Sequence, residues 1–353
     1  MSENPIRILG IGTAVPMSVE QTRIMDIAVR LFKGTDEQRN VLRRIYARSG
    51  VERRGVVLDD VGELTAFYAE DESPSTASRM KCYERFAPAL AERAARAALE
   101  QASTPVERIT HLITVSCTGF ASPGFDAALI ERLHLSRSVK RTNIGFMGCH
   151  AALNAIEVAR SIARASSEAR VLICCVELCS LHLAYGWEMQ KIVSNALFAD
   201  GAASLVIGQS DDASRWRIVE TASFLMPDTK REMGWTIGDN GFAMTLSPHV
   251  PAQVEANIRG WCDAWLGEAG ANVEAIDHWA IHPGGPRVLC AAAAGLKIDA
   301  ARLQVSRDVL REHGNMSSTT VLFILQKLGD AKGNCVSLAF GPGLVMEGLL
   351  LRR

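Results

Sequence analysis

Residues 143–155 read NIGFMGCHAALNA and place a cysteine between a small-residue turn and a helical pattern. The turn runs from Gly145 to Gly148, and the apolar residues after Cys149 recur at mostly helical spacing, which predicts a helix that begins at or just past the cysteine. A thiol at a helix N-terminus lies near the positive end of the helix dipole, which favours the thiolate. Cys149 is therefore a candidate nucleophile. The alternative is that it is a small buried hydrophobe, as most free cysteines are.

The composition is that of an ordinary globular protein. The chain has 353 residues, 48% hydrophobic and 22% charged, with a net charge of −1. This length suggests two domains or one large α/β unit. Mixed charge and the lack of a long apolar run exclude a nucleic-acid footprint and a membrane span. A polar N-terminus and nine cysteines without a CxxC pair argue against a signal peptide and a disulfide framework, and for the cytoplasm.

The first hundred residues alternate strand and helix signals. Residues 6–15 read as a buried strand, and their Gly10-x-Gly12 lacks the third glycine of a dinucleotide-binding loop. Ser18-x-x-Gln21 and Thr35-x-x-Gln38 have the form of capping boxes that open two helices. We expect a loop over the acidic, Ser/Thr-rich residues 58–78. An amphipathic helix is predicted over residues 84–102, with Pro88 near its start.

From residue 109 onward the pattern is that of an α/β protein. It predicts a strand at 111–117, a helix from about Phe125, a strand at 171–176 and a hairpin-like pair of strands at 196–208. The spacing Cys175-x3-Cys179-x2-His182 does not supply a tetrahedral zinc set. We therefore interpret these three residues as strand-end and pocket-wall positions, and no metal site is predicted.

A weak internal repeat relates the two halves of the chain. VERITH at 106–111 matches VEAIDH at 273–278, an offset of 167 residues that pairs Cys149 with Met316, next to Asn315. RVLICC near Arg170 likewise matches NCVSLAF near Asn334. Chance could produce one such match, but three in the same order favour duplication. The predicted halves are residues 1–214, with Cys149, and residues 215–353.

The second half contributes a histidine and an asparagine at the ends of predicted elements. His282 closes the strand HWAIH before Pro283-Gly284-Gly285, and Asn315 precedes the helical pattern SSTTVLFILQKL. Taken singly, such residues are usually a structural histidine and an N-cap. Together with Cys149 they form a possible active site, because an imidazole can stabilise a thiolate and both side chains can donate hydrogen bonds to a developing enolate.

Over most of its length the chain resembles the type III polyketide synthases, the chalcone-synthase-like branch of the thiolase-fold condensing enzymes. The resemblance runs from RILGIGTAVP to the C-terminus. It rests on GFMGCHAALNA, ALFADGAASLVIG, AIHPGGPRVL, GNMSSTTVLFIL and AFGPGLVMEGLLL.

The resemblance implies an α/β, thiolase-like five-layered αβαβα fold made of two duplicated halves, a homodimer, and acyl-CoA and malonyl-CoA as substrates with no bound cofactor. It also implies catalytic roles. Cys149 would carry the acyl starter, His282 and Asn315 would hold the malonyl thioester carbonyl during decarboxylation, and Phe198 would orient the malonyl unit. Taken without the resemblance, Phe198 reads as core packing.

Further positions are implied as substrate-binding residues. Arg44 and Arg48 would lie near the CoA phosphates, although a third basic position of the family is Val41 here; without the resemblance, such an arginine cluster reads as a solvated face. The glycine–proline turn of the family falls on Gly341, Pro342 and Gly343.

The segments SCTGFASPGFD and VELCSLHLAYG are most similar to the bacterial alkylpyrone and alkylresorcinol synthases. In these enzymes small residues at the positions of Thr118 and Cys179 open a tunnel for a long acyl chain. Met244 stands where plant enzymes have a phenylalanine, and methionine suits an alkyl guest. Ser122 replaces the methionine with which the family contacts its dimer partner, which weakens the case for a partner contribution to the pocket.

Three other functional classes could account for a cysteine, a histidine and an asparagine in this order. A papain-like protease also has Cys, His and Asn in this order, but Cys149 lies deep in the chain and lacks the CGSCW flanks. A ketosynthase III-like enzyme acting on acyl carrier protein lacks the Gly-Pro-Gly turn and remains the alternative. A non-catalytic scaffold would not need all three polar residues.

Overall fold

The computed structural model describes residues 4–58, 61–68 and 73–353 as alternating strands and helices. The strands are β1 (Ile6–Ala14), β2 (Met17–Glu20), β3 (Arg53–Val56), β4 (His111–Ser116), β5 (Lys140–Gly145), β6 (Arg170–Leu178), β7 (Asp200–Gln209), β8 (Trp216–Leu225), β9 (Met233–Gly238), β10 (Gly241–Leu246), β11 (His278–Ile281), β12 (Asn334–Gly341) and β13 (Val345–Arg352). The helices are α1 (Gln21–Leu31), α2 (Asp36–Ala47), α3 (Val61–Tyr68), α4 (Thr76–Gln101), α5 (Phe125–Leu133), α6 (Ala151–Ala165), α7 (Met189–Leu197), α8 (Val250–Glu268), α9 (Pro286–Leu296), α10 (Gln304–His313) and α11 (Thr320–Lys327).

Nine strands form a mixed sheet in the order β11-β12-β13-β8-β1-β7-β6-β4-β5. The first half of the chain supplies β1, β7, β6, β4 and β5, and the second half supplies the remaining four. Among the described residues, the two sets are joined within the sheet where β1 pairs with β8, at Arg7–Arg217 and Ile8–Trp216. The sheet therefore consists of two sub-sheets, one from each half.

Alternation of side chains along the strands builds the layers. In the first sub-sheet, Leu112 and Leu172 pack with α4 and α5, whereas Ile113 and Ile173 face the opposite way and join a core that contains α6 and α11. The second sub-sheet contributes Cys335 to that same central core, and its other face packs on α8 and α9. The order helix, sheet, helix, sheet, helix is the expected five-layered αβαβα arrangement.

The two halves repeat the same order of elements. A 3₁₀ turn at Val106–Arg108 precedes β4, and a 3₁₀ turn at Val273–Ala275 precedes β11. The helices that follow Cys149 and Asn315, α6 and α11, both lie in the central layer. The duplicated architecture inferred from the sequence repeat is thus present. The division at residues 214 and 215 falls between β7 and β8, and its place as a domain boundary stays a prediction.

Two helix starts differ from the sequence prediction. The Thr35 capping box is formed, but Ser18 lies in β2 and the cap residue of α1 is Glu20, without a side-chain cap. The buried side chain of Gln21 instead accepts a hydrogen bond from Arg54 and donates one to the Ala196 carbonyl. Helix α4 begins at Thr76 rather than at residue 84, because Ser75 accepts a hydrogen bond from the Ser78 amide and caps it; Pro88 therefore lies inside the helix.

The other differences concern residues 58–78 and 196–208. Part of the expected loop is helix α3, while residues 59–60 and 69–72 lie outside the described residues. The expected hairpin at 196–208 is wrong. The first residues of this range end helix α7, and the later ones belong to the single strand β7, which pairs with both β1 and β6. A strand buried on both faces shows no alternation, so the apolar run did not reveal where helix gives way to strand.

Within the described residues, no helix has the length and apolar character needed to cross a membrane. In the same part of the chain, no cluster of three or more histidine, cysteine, aspartate or glutamate side chains could hold a metal ion.

Candidate active site

Cys149 lies at the buried N-terminal end of α6, as expected. It directly precedes His150, the cap residue of this helix, and is 8% exposed. Its Sγ lies 3.6 Å from the Ser317 hydroxyl. Gly148, the residue before the cysteine, has a φ of +84°, a backbone conformation that favours glycine.

The protonation state of Cys149 differs from the expectation. The pKa of the Cys149 thiol is raised to about 12, chiefly by burial; the hydrogen bond with Ser317 lowers the pKa in part, and the charge of Glu177 raises it by a smaller amount. The helix N-terminus therefore does not hold a thiolate in the resting protein, because desolvation outweighs it. A proton acceptor must remove the proton when the sulfur reacts.

His282 is the predicted partner of Cys149 in this proton transfer. It follows β11, is 1% exposed, and its amide donates to the Leu338 carbonyl at 2.8 Å. Burial, and secondarily a charge on His150, lower the pKa of His282 to about 3. Neither ring nitrogen has a hydrogen-bond partner among residues 4–58, 61–68 and 73–353. The role of His282 beside Cys149 stays a prediction.

Backbone pairing brings Asn315 next to Phe198. The Asn315 amide donates to the Leu197 carbonyl, and the Ala199 amide donates to the Asn315 carbonyl, both at 2.8 Å. The Asn315 side-chain oxygen accepts from the Ser317 amide at 2.9 Å, which sets the turn that presents Ser317 to Cys149. Two expected site residues from different halves of the chain are thus held in one short bridge.

A small cavity with an empty volume of about 400 Å³ contains several of the expected positions. We call it the Cys149 cavity. It is lined by Cys117, Thr118, Gly148, Cys149, Cys179, Phe198, Met233, Gly234, Trp235, Met244, Ser317 and Pro342. Of the residues expected from the sequence, six therefore meet here: Cys149, Phe198, Thr118, Cys179, Met244 and Pro342.

A second, larger cavity adjoins the first, with an empty volume of about 670 Å³. Cys179, Phe198, Trp235 and Met244 line both cavities and form a shared wall. Beyond this wall the larger cavity runs between α1, α3, α7 and β10, and its apolar lining includes Ile24, Val56, Leu64, Leu183 and Phe242. We call it the adjoining cavity.

The glycine–proline turn of the second half fits against the nucleophile turn of the first. A Cβ on Gly148 would lie 2.1 Å from Pro342 Cδ, and a Cβ on Gly341 would lie 2.2 Å from His150 Cδ2. Gly343 has a φ of +76°, and its amide donates to the Met233 carbonyl at 2.8 Å. Only Pro342 of this turn lines the Cys149 cavity.

Arg44 and Arg48 are not part of either cavity. Arg44 lies in α2 and Arg48 caps its end, and both side chains are exposed. Helix α2 packs against α7, which lines the adjoining cavity. Their proposed contact with CoA phosphates therefore stays a prediction about the approach to the site.

The sequence did not predict a role for Trp235, which lines the Cys149 cavity, or for Glu177, which lies behind it. Glu177 is fully buried and accepts hydrogen bonds from the Cys117 amide and from the hydroxyls of Thr118 and Ser318; burial raises the pKa of its carboxyl group. Trp235 donates from its indole nitrogen to the Cys117 carbonyl at 2.7 Å. Glu177 and Ser318 belong to segments noted in the sequence, whereas Trp235 comes from a hairpin that carries no such signal.

His182 forms the aromatic side of the adjoining cavity. Its ring stacks on Phe242 at 4.2 Å between centroids, and its Nε2 lies 2.7 Å from the Thr118 carbonyl. Burial lowers the pKa of His182 to about 4. Cys179 and His182 are thus pocket-wall residues as expected, and Cys175 belongs to the central core.

Comparisons with known proteins agree with this geometry. The family model for the N-terminal domain of chalcone and stilbene synthases matches residues 1–211, and the model for their C-terminal domain matches residues 217–353. The alpha-pyrone synthesis polyketide synthase-like Pks18 of Mycobacterium tuberculosis is 32% identical over 97% of this chain and 90% of its own length. Type III polyketide synthase C of Arabidopsis thaliana is 30% identical over 98% of this chain and 94% of its own length.

Solved structures give the same result. PKS-I from the brown alga Ectocarpus siliculosus superposes with a TM-score of 0.93 at 30% identity, covering 100% of this chain and 99% of that one. The C-terminal type III polyketide synthase domain of Steely1 from Dictyostelium gives a TM-score of 0.92 at 28% identity, covering 99% of each chain. The chain therefore belongs to the chalcone and stilbene synthase family and is a type III polyketide synthase, a condensing acyltransferase of the thiolase fold.

Proposed function

We propose that this enzyme loads a medium- to long-chain fatty acyl group from CoA onto Cys149 and extends it with malonyl-CoA to alkylpyrone- or alkylresorcinol-type products. The observation that carries the proposal is the pair of adjoining cavities. Cys149 lies in the smaller one, and the larger apolar one begins at a wall that includes Cys179 and Met244. An apolar space next to a thiol suits an alkyl chain attached to that thiol.

In the first proposed step, His282 acts as the base. Its neutral ring takes the proton of Cys149 as the sulfur attacks the thioester carbonyl of the starter; the acyl–sulfur bond to Cys149 forms and the bond to CoA breaks. The proton then leaves with the CoA thiolate. All nine cysteines are free thiols, so the proposal places the enzyme in a reducing compartment, the cytoplasm.

In the second step, malonyl-CoA loses CO2. The electron pair of the broken carbon–carbon bond moves into the thioester, and donors on His282 and Asn315 stabilise the resulting enolate oxygen. The enolate carbon attacks the acyl group on Cys149 and releases the sulfur. Phe198, beside Asn315, keeps water from the malonyl unit. These steps need no cofactor, because the leaving carboxylate supplies the electrons.

The choice of starter follows from the adjoining cavity and from a relative. Each methylene buried there contributes roughly 0.8 kcal/mol, so longer chains should bind better until the space is full. The name of Pks18 refers to alpha-pyrone synthesis, which supports the pyrone as the favoured product. The ketosynthase III-like alternative is set aside, because the chalcone and stilbene synthase models match both halves of the chain. The exposed Arg44 and Arg48 are proposed to hold the CoA phosphates.

We also propose a homodimer. Strand β5 forms one edge of the nine-stranded sheet, and most of its residues are exposed. Phe120 and Met147, close to this edge, are 52% and 41% exposed. An open strand edge flanked by apolar side chains favours pairing with a second copy. Light scattering of the purified protein tests this, and a monomer at micromolar concentration would contradict it.

The proposed function is tested by incubating the purified enzyme with radiolabelled malonyl-CoA and acyl-CoAs of graded length. We expect labelled pyrone or resorcinol products whose yield rises with chain length and then falls. Preference for a coumaroyl-type starter would overturn the fatty starter. The absence of any extended product with every CoA ester would overturn the proposed function itself.

A further inference from the structure

Arg54 is a buried arginine that hydrogen-bonds to the end of helix α7 and to Gln21 at the start of α1. It belongs to β3, is 4% exposed, and lines the adjoining cavity. Its Nη1 donates to the carbonyls of Asn195 and Phe198 at 2.8 and 2.6 Å, and its Nη2 donates to the carbonyl of Ala196 at 2.7 Å. Nε and Nη2 donate to Gln21 Oε1 at 2.9 and 2.6 Å. All five N–H groups of Arg54 therefore donate hydrogen bonds to uncharged oxygen atoms.

These carbonyls are the ones that a helix end leaves without partners. Helix α7 ends at Leu197, and the last carbonyls of a helix have no amide within it to accept from. A guanidinium at this end also interacts favourably with the helix dipole. Gln21 reinforces the arrangement, since its Nε2 donates to the Ala196 carbonyl at 2.8 Å. Arg54 thus fixes the point at which the chain leaves α7 and presents Phe198.

The same arginine lies beneath the turn that carries Asn315. Gly314 has a φ of +73°, and a Cβ placed on it would lie 3.4 Å from Arg54 Cβ. The backbone bridge between Phe198 and Asn315 then transmits the position of α7 to Asn315. Burying the guanidinium costs stability and lowers the pKa of Arg54, and the nearby Tyr46 and Asp200 oppose this shift without reversing it. An uncharged side chain would fill the space without this cost, so the retained guanidinium points to a role in geometry.

We propose that Arg54 is a positioning residue that sets Phe198 and Asn315 in register with Cys149 for malonyl decarboxylation. It acts through the carbonyls at the end of α7. The inference rests on the proposed function, because it assigns decarboxylation to the site that contains Phe198 and Asn315.

Hydrogen exchange tests the positioning independently of activity. Arg54→Met keeps an unbranched apolar stem and removes the donors; Arg53→Met is the matched control, because Arg53 is the exposed neighbour that pairs with Glu20. We expect the Ala199 and Asn315 amides to exchange at least about tenfold faster in Arg54→Met, and at the wild-type rate in Arg53→Met. Unchanged protection of both amides in Arg54→Met would overturn the proposal.

Activity separates positioning from a general loss of structure. A small displacement of catalytic groups costs on the order of 10²-fold in rate. Arg54→Met should therefore lose malonyl-CoA decarboxylation by about this factor, while alkylation of Cys149 changes by less than about threefold. In Arg54→Ala, added guanidinium should restore part of the decarboxylation and methylammonium should not. A parallel fall of both reactions without rescue would make Arg54 a purely structural residue and overturn the proposal.

If Arg54→Met does not fold, Arg54→Lys replaces it in both comparisons, because lysine keeps the charge and cannot reach all four oxygens. Inactivity of the wild type towards malonyl-CoA would instead overturn the proposed function. The exchange experiment would then still decide whether Arg54 holds the two segments together.

Discussion

At the scale of single residues, the chemistry of the site is governed by a pair of neutral groups. Burial raises the pKa of Cys149 to about 12 and lowers the pKa of His282 to about 3. An ion pair between them is not stored in the resting protein and must form during the reaction. Transfer becomes favourable when it is coupled to attack of the sulfur on the substrate carbonyl, because the developing negative charge then moves to the substrate oxygen and its hydrogen-bond donors.

A pH profile of alkylation tests this protonation state. Because the thiolate is the reactive form, the rate of Cys149 alkylation by iodoacetamide should rise about tenfold per pH unit from pH 7 to 9, without a plateau. Mass spectrometry of the modified peptides measures the rate, with the exposed Cys290 as a control for reagent access. A plateau that begins below pH 7 would show that Cys149 is held as a thiolate by a protonated His282.

At the scale of structural elements, the site depends on how tightly the turns of the two halves fit. Gly148→Ala places a methyl group against Pro342 at a residue with positive φ. We expect it to cost about 1–3 kcal/mol of unfolding free energy and to slow acylation of Cys149. The matched control is Gly260→Ala in α8, where a Cβ meets nothing within 4 Å; it should stabilise the protein by ~0.5–1 kcal/mol. Denaturant titration compares the unfolding free energies of the two variants. Equal effects on stability would refute the close fit between the Gly148 turn and the Pro342 turn.

The wall between the two cavities should set the length of the starter. Cys179→Phe adds a ring at a position that lines both cavities. We expect it to lose activity with long acyl-CoAs and retain it with short ones, because the added ring closes the way into the adjoining cavity. Cys290→Phe, on the exposed side of α9, serves as control and should leave the length profile unchanged. An unaltered profile in Cys179→Phe would mean that the acyl chain lies elsewhere.

The sequence allowed prediction of the elements that carry strong local signals. β1, β4, β6 and the start of α5 are confirmed, as is the helix after Cys149. The predictions that failed depended on distant partners. Gln21 was mistaken for part of a cap, whereas its side chain is drawn to Arg54 and Ala196. Trp235 could not be found, because a residue of the β9–β10 hairpin reaches the cavity only through tertiary packing.

At the scale of the whole molecule, buried histidines make stability depend on pH. The pKa of His282 is about 3 in the folded protein, below its ordinary value of 6.5. Above pH 6.5 the ring is neutral in both states and its contribution is fully present. As the pH falls from 6.5 towards 3, the unfolded chain binds a proton that the folded protein does not, and stability is lost.

This loss should be about 2 kcal/mol between pH 6.5 and pH 5, from roughly 1.4 kcal/mol per pH unit. Other buried groups also titrate; Asp200, whose pKa is raised to about 6 by burial, acts in the opposite direction. The comparison with His282→Gln isolates the histidine, since the variant should lose about 2 kcal/mol less over the same interval. Urea titrations at both pH values measure the difference, and equal losses in both proteins would contradict the neutral state of His282.

The predicted site draws on both halves of the chain. The first half supplies Cys149 and Phe198, and the second supplies His282, Asn315 and the Pro342 turn. Separate sub-sheets bring these groups to one central layer, and the bridge between Phe198 and Asn315 crosses between the halves. The repeat in the sequence indicated this meeting, but the depth of burial that sets the pKa values follows only from the packed layers.

The central claim is that Cys149 carries the acyl chain while Asn315 serves the later decarboxylation, and intact-protein mass spectrometry tests it most directly. Wild type, Cys149→Ala and Asn315→Ala are each incubated with a fatty acyl-CoA and then with malonyl-CoA. We expect one acyl adduct, on Cys149, in wild type and Asn315→Ala, and none in Cys149→Ala. With malonyl-CoA the wild type should clear its adduct into product, whereas Asn315→Ala should do so ~10²–10³ times more slowly. An adduct on another residue, or clearance by Asn315→Ala at the wild-type rate, would contradict the account.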